Sequence, residues 1–249
     1  MSRFGRFFGK KDHLVPFDLS KLGCDIHSHL IPGIDDGSPS LEDSLVLARG
    51  LVDLGYKKAI TTPHVMSDFY RNSPETIQNG LIQLNLKIQQ AGIPLTVEAA
   101  AEYYIDFELM EKVESNSLLT FGNNYLLVEF SFVEPPVNMN EVFFKLQTNG
   151  YRPVLAHPER YLYWHNNPKP LFELKDRDVL FQINLLSLMG NYGPQVAKAG
   201  ELLIENKMVE WLGTDLHHAN HLELLKNYRL KQSLVSKIED LQLLNRSLL

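Results

Sequence analysis

Seven short apolar runs rich in β-branched residues, each closed by a polar side chain, alternate with amphipathic segments along this chain. The first leads into Asp25-Ile26-His27-Ser28-His29; Lys58-Ala59-Ile60-Thr61-Thr62 meets Pro63-His64, and Pro94 through Ala101 meets Glu102. Tyr125-Leu126-Leu127-Val128 ends in Glu129, Pro153-Val154-Leu155-Ala156 in His157, and Val179 through Ile183 in Asn184. Val209 through Thr214 meets Asp215-Leu216-His217. Bounded runs of this length and composition read as strands. Between them, Ser38-Pro39 forms an N-cap and N1 pair before Leu41, Leu45, Ala48 and Val52, with a stop at Gly55. Ser73-Pro74-Glu75 opens a second helix carrying Ile77, Leu81, Leu84 and Ile88, ended by Gly92. Further helical stretches span about 140–149, 168–175, 194–206 and 220–244.

Strand and helix in alternation imply a parallel sheet with helices outside, either open and doubly wound or closed into a barrel. An open sheet gathers its polar groups mainly at one switch point. In a parallel barrel all strand C-termini converge on one face, so groups remote in sequence can meet there. Polar residues at the end of nearly every run therefore favour a barrel, of seven strands.

A chain of 249 residues with 44% hydrophobic content is enough for one soluble domain with a sizeable core, and no linker or repeat divides it. The formal net charge of −6 argues against a nucleic-acid binder that works through a basic face. One cysteine, Cys24, excludes an intrachain disulfide and fits a reducing compartment. No apolar run approaches the roughly 20 residues needed to span a bilayer. Met1 to Lys11 interleaves Phe4, Phe7 and Phe8 with Arg3, Arg6, Lys10 and Lys11 but lacks the apolar core of a signal peptide. It reads as part of an N-terminal arm (1–20), packed on the barrel or disordered, with a weak membrane-surface anchor as the alternative. The barrel itself occupies 21–249.

The chemistry begins with His27 and His29. In an extended strand, side chains at i and i+2 share a face, so both imidazoles can reach one ion. The alternative is a histidine pair ending a buried strand. Imidazole together with carboxylate suits zinc, manganese or iron, whereas magnesium and calcium prefer oxygen alone. Other chemistries are absent. The position six residues after Cys24, where a cysteine-dependent phosphatase needs arginine, is Leu30; Gly5 to Lys10 is too short for a P-loop; and there is no Gly-x-Ser-x-Gly elbow.

Taken together, Asp25-x-His27-x-His29, Asp36-Gly37, Thr62-Pro63-His64, Ala101-Glu102-Tyr103, Glu129-Phe130, His157-Pro158-Glu159-Arg160-Tyr161 and Thr214-Asp215-Leu216-His217 resemble the PHP (polymerase and histidinol phosphatase) superfamily. Within it, the bacterial capsule and exopolysaccharide tyrosine phosphatases of the CpsB/YwqE type are the nearest likeness, from about Gly23 to His217. The resemblance implies a distorted (β/α)7 TIM-like barrel of the PHP type with three divalent ions, manganese foremost and iron or zinc as alternatives. It implies that His27, His29, Glu102 and Asp215 hold one ion, that Glu102 bridges to a second held by Glu129 and His157, and that Asp36, His64 and His217 hold the third. His13, His165, His218 and His221 fall outside this set.

Such ions would neutralise the phosphoryl oxygens and supply hydroxide at neutral pH. Arg160 would clamp the phosphoryl group, with a salt bridge to Glu159 or a barrel carboxylate as the alternative; Asp36 and His64 join Arg160 as candidate catalytic groups. Tyr103, Tyr104, Tyr161, Tyr163 and Trp164 could line a groove for an aromatic ring, or simply pack. The implied activity is cytoplasmic, metal-dependent hydrolysis of phosphotyrosine, on the tail of a bacterial tyrosine kinase that controls polysaccharide export. The alternatives are a small-molecule phosphatase, such as one acting on histidinol phosphate, and a weakly catalytic PHP binding module.

Overall fold

The computed structural model describes residues 12–249, so the basic, aromatic stretch Met1 to Lys11 lies outside the described residues. In chain order the strands are β1 (Leu14–Pro16), β2 (Cys24–Asp25), β3 (Lys58–Thr61), β4 (His64–Val65), β5 (Thr96–Ala99) and β6 (Glu102–Tyr104). They continue with β7 (Tyr125–Glu129), β8 (Arg152–Ala156), β9 (Leu180–Asn184), β10 (Trp211–Gly213) and β11 (Arg229–Lys231). The helices are α1 (Leu41–Asp53), α2 (Pro74–Gln90), α3 (Phe107–Glu114), α4 (Met139–Thr148) and α5 (Lys169–Lys175), followed by α6 (Leu185–Leu188), α7 (Pro194–Glu205), α8 (Ala219–Lys226) and α9 (Gln232–Glu239).

The seven expected runs form seven staves of a distorted parallel barrel. Two staves are broken: Pro63, with no N–H to give the ladder, separates β3 from β4, and Ala100-Ala101 separates β5 from β6. Pairing therefore divides into a three-stranded set, β2-β3-β5, and a six-stranded set, β10-β9-β8-β7-β6-β4. The Ala100 amide donates to the Thr61 carbonyl at 2.9 Å and the Glu102 amide to that of Pro63 at 3.1 Å, which carries the pairing across both breaks. Closure comes from the Asp215 amide on the His27 carbonyl at 2.8 Å and the His29 amide on the Leu216 carbonyl at 2.9 Å. Cys24, Ile26, Ile60, Ala100, Leu127, Val154, Ala156 and Trp211 form one buried cluster drawn from nearly every stave, and residues so distributed can meet only inside the barrel. Each fully buried aliphatic side chain here contributes about 1.5–3 kcal/mol relative to exposure.

The structure corrects several local expectations. The helix expected over 220–244 is split into α8 and α9 by β11, which pairs antiparallel with β1. That pairing buries Leu230, at 2% exposure, and no helical period within the segment could signal it. Residues 14–16, within the expected N-terminal arm, form the other strand of this pair. Helix α3 was not expected at all; its start is marked by Asp106, whose carboxylate accepts from the amides of Glu108 and Leu109. The N-cap of α1 is Ser40, accepting from the Asp43 amide, and Ser38 instead lies fully buried in the loop before it.

Candidate metal centre

At the C-terminal mouth of the barrel, chain geometry aims the polar residues inward. His157 and Asp215 both adopt left-handed backbone, at φ 34° and 50°, a conformation that costs non-glycine residues energy and collects at functional sites. The loop after β2 folds back through the Ser38 amide on the His29 carbonyl at 3.1 Å, bringing Asp35 and Asp36 over the mouth. Gly37 makes this fold possible, because a Cβ there would lie 2.4 Å from the His29 carbonyl oxygen and 2.3 Å from its Cβ. Gly37→Ala is therefore expected to displace His29 and lower bound metal by roughly 10- to 100-fold in affinity, the scale seen when support of a ligand is lost. Metal titration followed by calorimetry would check this.

All nine residues expected as ligands come together. Each belongs to at least one of four overlapping groups whose donor atoms lie within 4.8 Å of one another: His29, Asp36, His64 and His217; His27, His29 and Asp215; His27, Glu102 and His157; His64, Glu102 and Glu129. The tightest convergence is around His27. Its Nε2 lies 3.1 Å from Glu102 Oε2 and 3.4 Å from Asp215 Oδ1. It is also 3.4 Å from His29 Nε2, which is itself 3.6 Å from each of the same two carboxylate oxygens. Ligands about 2.0–2.2 Å from a common centre sit roughly 3.3–3.6 Å apart, so the two imidazole nitrogens and either carboxylate oxygen are spaced as ligands of a single ion.

Hydrogen bonds behind the rings fix which nitrogens face inward. Asn184 Nδ2 donates to Asp215 Oδ2 at 2.6 Å, Gln182 Nε2 donates to Asn184 Oδ1 at 2.8 Å, and Gln182 Oε1 therefore accepts from His27 Nδ1 at 2.8 Å. Asp35 Oδ2 likewise accepts from His29 Nδ1 at 2.8 Å. In neutral rings both Nε2 atoms then present lone pairs to two carboxylates, a pocket of acceptors without a donor. Burial opposes charging of His27, yet Glu102 and Asp215 outweigh it and push its pKa up to about 10. The proton drawn there marks a deficit of positive charge that a cation would fill.

The remaining groups surround this core. His157 Nε2 is 3.1 Å from Glu102 Oε1 and 3.5 Å from Glu129 Oε1. His64 stands between two groups, with Nδ1 3.2 Å from Glu102 Oε2 and Nε2 3.5 Å from Asp36 Oδ1; His217 Nε2 reaches the same Asp36 oxygen at 3.6 Å. Burial, with His217 beside it, lowers His29 to about 4, and burial lowers His157 to about 4, so both rings are neutral and able to ligate. Burial next to the Glu102 and Asp215 carboxylates pushes Glu129 well above the usual carboxylate range. Three buried acids sharing one pocket are costly unless cations accompany them.

A cavity of about 280 Å³ opens over these side chains, lined also by Phe132, Arg160, Tyr192, His218 and His221. Arg160 Nη1 donates to Asp215 Oδ2 at 3.1 Å, and the guanidinium has no other side-chain hydrogen bond among the described residues. The salt bridge thus goes to a barrel carboxylate, while most of the planar fork stays available to an anion. Sequence reasoning did not single out Asp35, Gln182, Phe132 or Tyr192. Asp35 was legible only as the neighbour of Asp36, and the other three carry no local signal. The aromatic residues that were expected near the mouth do not line the cavity. Tyr103, Tyr161 and Trp164 are buried, with the Tyr161 hydroxyl donating to the Ala156 carbonyl, and the Tyr163 hydroxyl donates to the Ser131 carbonyl.

Residues 23–228 match a protein family described as capsular polysaccharide synthesis, CpsB/CapC. The chain is 34% identical over 195 residues to the tyrosine-protein phosphatase YwqE of Bacillus subtilis (strain 168), covering 78% of this chain and 77% of the relative. It is 27% identical over 200 residues to the tyrosine-protein phosphatase CpsB of Streptococcus pneumoniae, covering 78% and 82%. A solved structure from work on YwqE and CpsB, described as unique metal-dependent tyrosine phosphatases, superposes with a TM-score of 0.77 at 30% identity, covering 87% of this chain and 86% of the other. The lactonase Lmo2620 from Listeria monocytogenes, at 13% identity and a TM-score of 0.51, shares the fold alone.

Proposed function

The chain belongs to the CpsB/CapC family of capsular polysaccharide synthesis proteins, and from that premise we propose that it is a metal-dependent tyrosine phosphatase whose nine ligands hold three divalent ions, manganese foremost. One observation carries the assignment of the first ion: the His27 and His29 Nε2 atoms lie 3.4 Å apart and each is 3.1–3.6 Å from the same two carboxylate oxygens, of Glu102 and Asp215, with the other ring nitrogens tied off behind them. Bound divalent cations supply charge neutralisation at the phosphoryl oxygens and an acidified water.

The protein's own groups do the rest. Arg160 lines the cavity with N–H donors that no described side chain but Asp215 takes, and these would bind a phosphoryl oxygen pair and stabilise charge as the bond to the leaving group lengthens. Asp36, about half exposed at the rim, and His64 beside it would hold the third ion and orient the water it acidifies. Phenolate, with a parent pKa near 10, leaves with little assistance, whereas the alkoxides of serine and threonine need a proton donor. The site therefore suits phosphotyrosine. The substrate we assign is the tyrosine-bearing tail of a bacterial kinase governing polysaccharide export. The site of action we assign is the cytoplasm, where such a kinase draws on nucleotide. No helix among the described residues is long and apolar enough to cross a membrane.

The test is turnover by the manganese-reconstituted protein. Phosphotyrosine peptides are expected to be cleaved about 100-fold or more faster than matched phosphoserine peptides, the scale of general-acid assistance that the latter would lack. Equal rates, or a strong preference for histidinol phosphate, would replace this reading with a small-molecule phosphatase.

A further inference from the structure

Arg160 is held by two aromatic rings that the ligand set does not require. Its Cζ lies 4.7 Å from the Phe132 ring centroid and 4.4 Å from that of Tyr192. Phe132 comes from the loop after β7 and Tyr192 from the turn between α6 and α7, so the contact joins loops of two different staves. Both rings line the cavity that Glu102, His157 and Asp215 also line. Phe132 is close to parallel with the His157 imidazole, at 5.6 Å and 23°, and remains 45% exposed.

A guanidinium set against two π faces is attracted to both and loses freedom to swing. That matters here because Asp215 already takes one of its donors at 3.1 Å, and the rings hold the rest of the fork at the cavity. A ring left 45% exposed beside the phosphoryl-binding group can also meet a planar substrate ring, and offset or edge-to-face aromatic pairs gain attraction beyond the area they bury. Resting on the phosphatase reading above, we propose that Phe132 and Tyr192 are positioning residues for Arg160 and that the exposed part of the Phe132 ring receives the aromatic ring of the substrate. The preference for aryl over alkyl phosphates then resides partly in this pair.

The experiment measures binding instead of turnover. Phenylphosphonate and methylphosphonate, neither hydrolysable, are titrated calorimetrically into the manganese-loaded protein. Wild type is expected to bind phenylphosphonate roughly fivefold more tightly than methylphosphonate, the scale of one aromatic pair. Phe132→Leu is expected to lose that preference and Phe132→Tyr to keep it. Tyr192→Leu is expected to weaken both ligands about equally, because Tyr192 acts through Arg160, and Tyr192→Phe to restore them. Retained preference in Phe132→Leu, or none in wild type, overturns the proposal, and the wild-type measurement stands even where a leucine variant fails to fold. A protein that cleaves phosphotyrosine peptides yet binds both phosphonates alike refutes the aromatic pair alone. One that shows the phosphonate preference but cleaves no phosphotyrosine refutes the phosphatase reading and supports the pair.

Discussion

Glu102→Gln is expected to lower kcat/KM on a phosphotyrosine peptide by on the order of 10³-fold or more, and to leave fewer ions per chain by elemental analysis. The reason is the position of this one carboxylate. Its Oε2 lies 3.1 Å from His27 Nε2, 3.6 Å from His29 Nε2 and 3.2 Å from His64 Nδ1, while Oε1 lies 3.1 Å from His157 Nε2. Four imidazoles thus converge on a side chain that is 1% exposed. An amide in its place turns an N–H toward lone pairs and removes the negative charge that would hold two cations together. A Glu102→Gln protein with full metal content and activity within tenfold of wild type would defeat the bridging assignment.

Arg160→Ala is expected to behave differently. Metal content should stay near wild type, while the transition state loses about 3 kcal/mol, or roughly 10²-fold in kcat/KM, as when a preorganised charge donor is removed. Arg160→Lys should recover only part of this, since an ammonium cannot reproduce the planar fork. The competing view is that the Asp215 contact at 3.1 Å is the whole purpose of Arg160. On that view the substitution would lower metal content or melting temperature and leave turnover per bound metal unchanged. Measuring metal, melting temperature and kinetics on one preparation separates the two.

Much of the fold was legible because strand and helix periods are local. The run Tyr125 to Val128 closing in Glu129, and Pro153 to Ala156 closing in His157, needed only alternating elements and strand ends to be placed. His27 and His29 were readable as partners because their spacing matches the side-chain period of an extended strand. The failure over 220–244 has a different cause. Residues 220–244 look helical on their own, but Arg229 to Lys231 pair with Leu14 to Pro16 at the other end of the chain. A pairing between segments so distant leaves no local trace.

The same division runs through the site. Sequence by itself determined the alternating architecture, the chemical identity of the ligand candidates and the exclusion of cysteine, serine and P-loop chemistry, because each depends on residue type and short spacing. Only the tertiary structure decided that Gln182 and Asp35 orient the imidazoles, that Arg160 rests against Phe132 and Tyr192, and that the barrel closes between His27-Ser28-His29 and Asp215-Leu216. Those contacts are made between loops on different staves, where position follows from barrel closure and packing, and no pattern within a few residues encodes either.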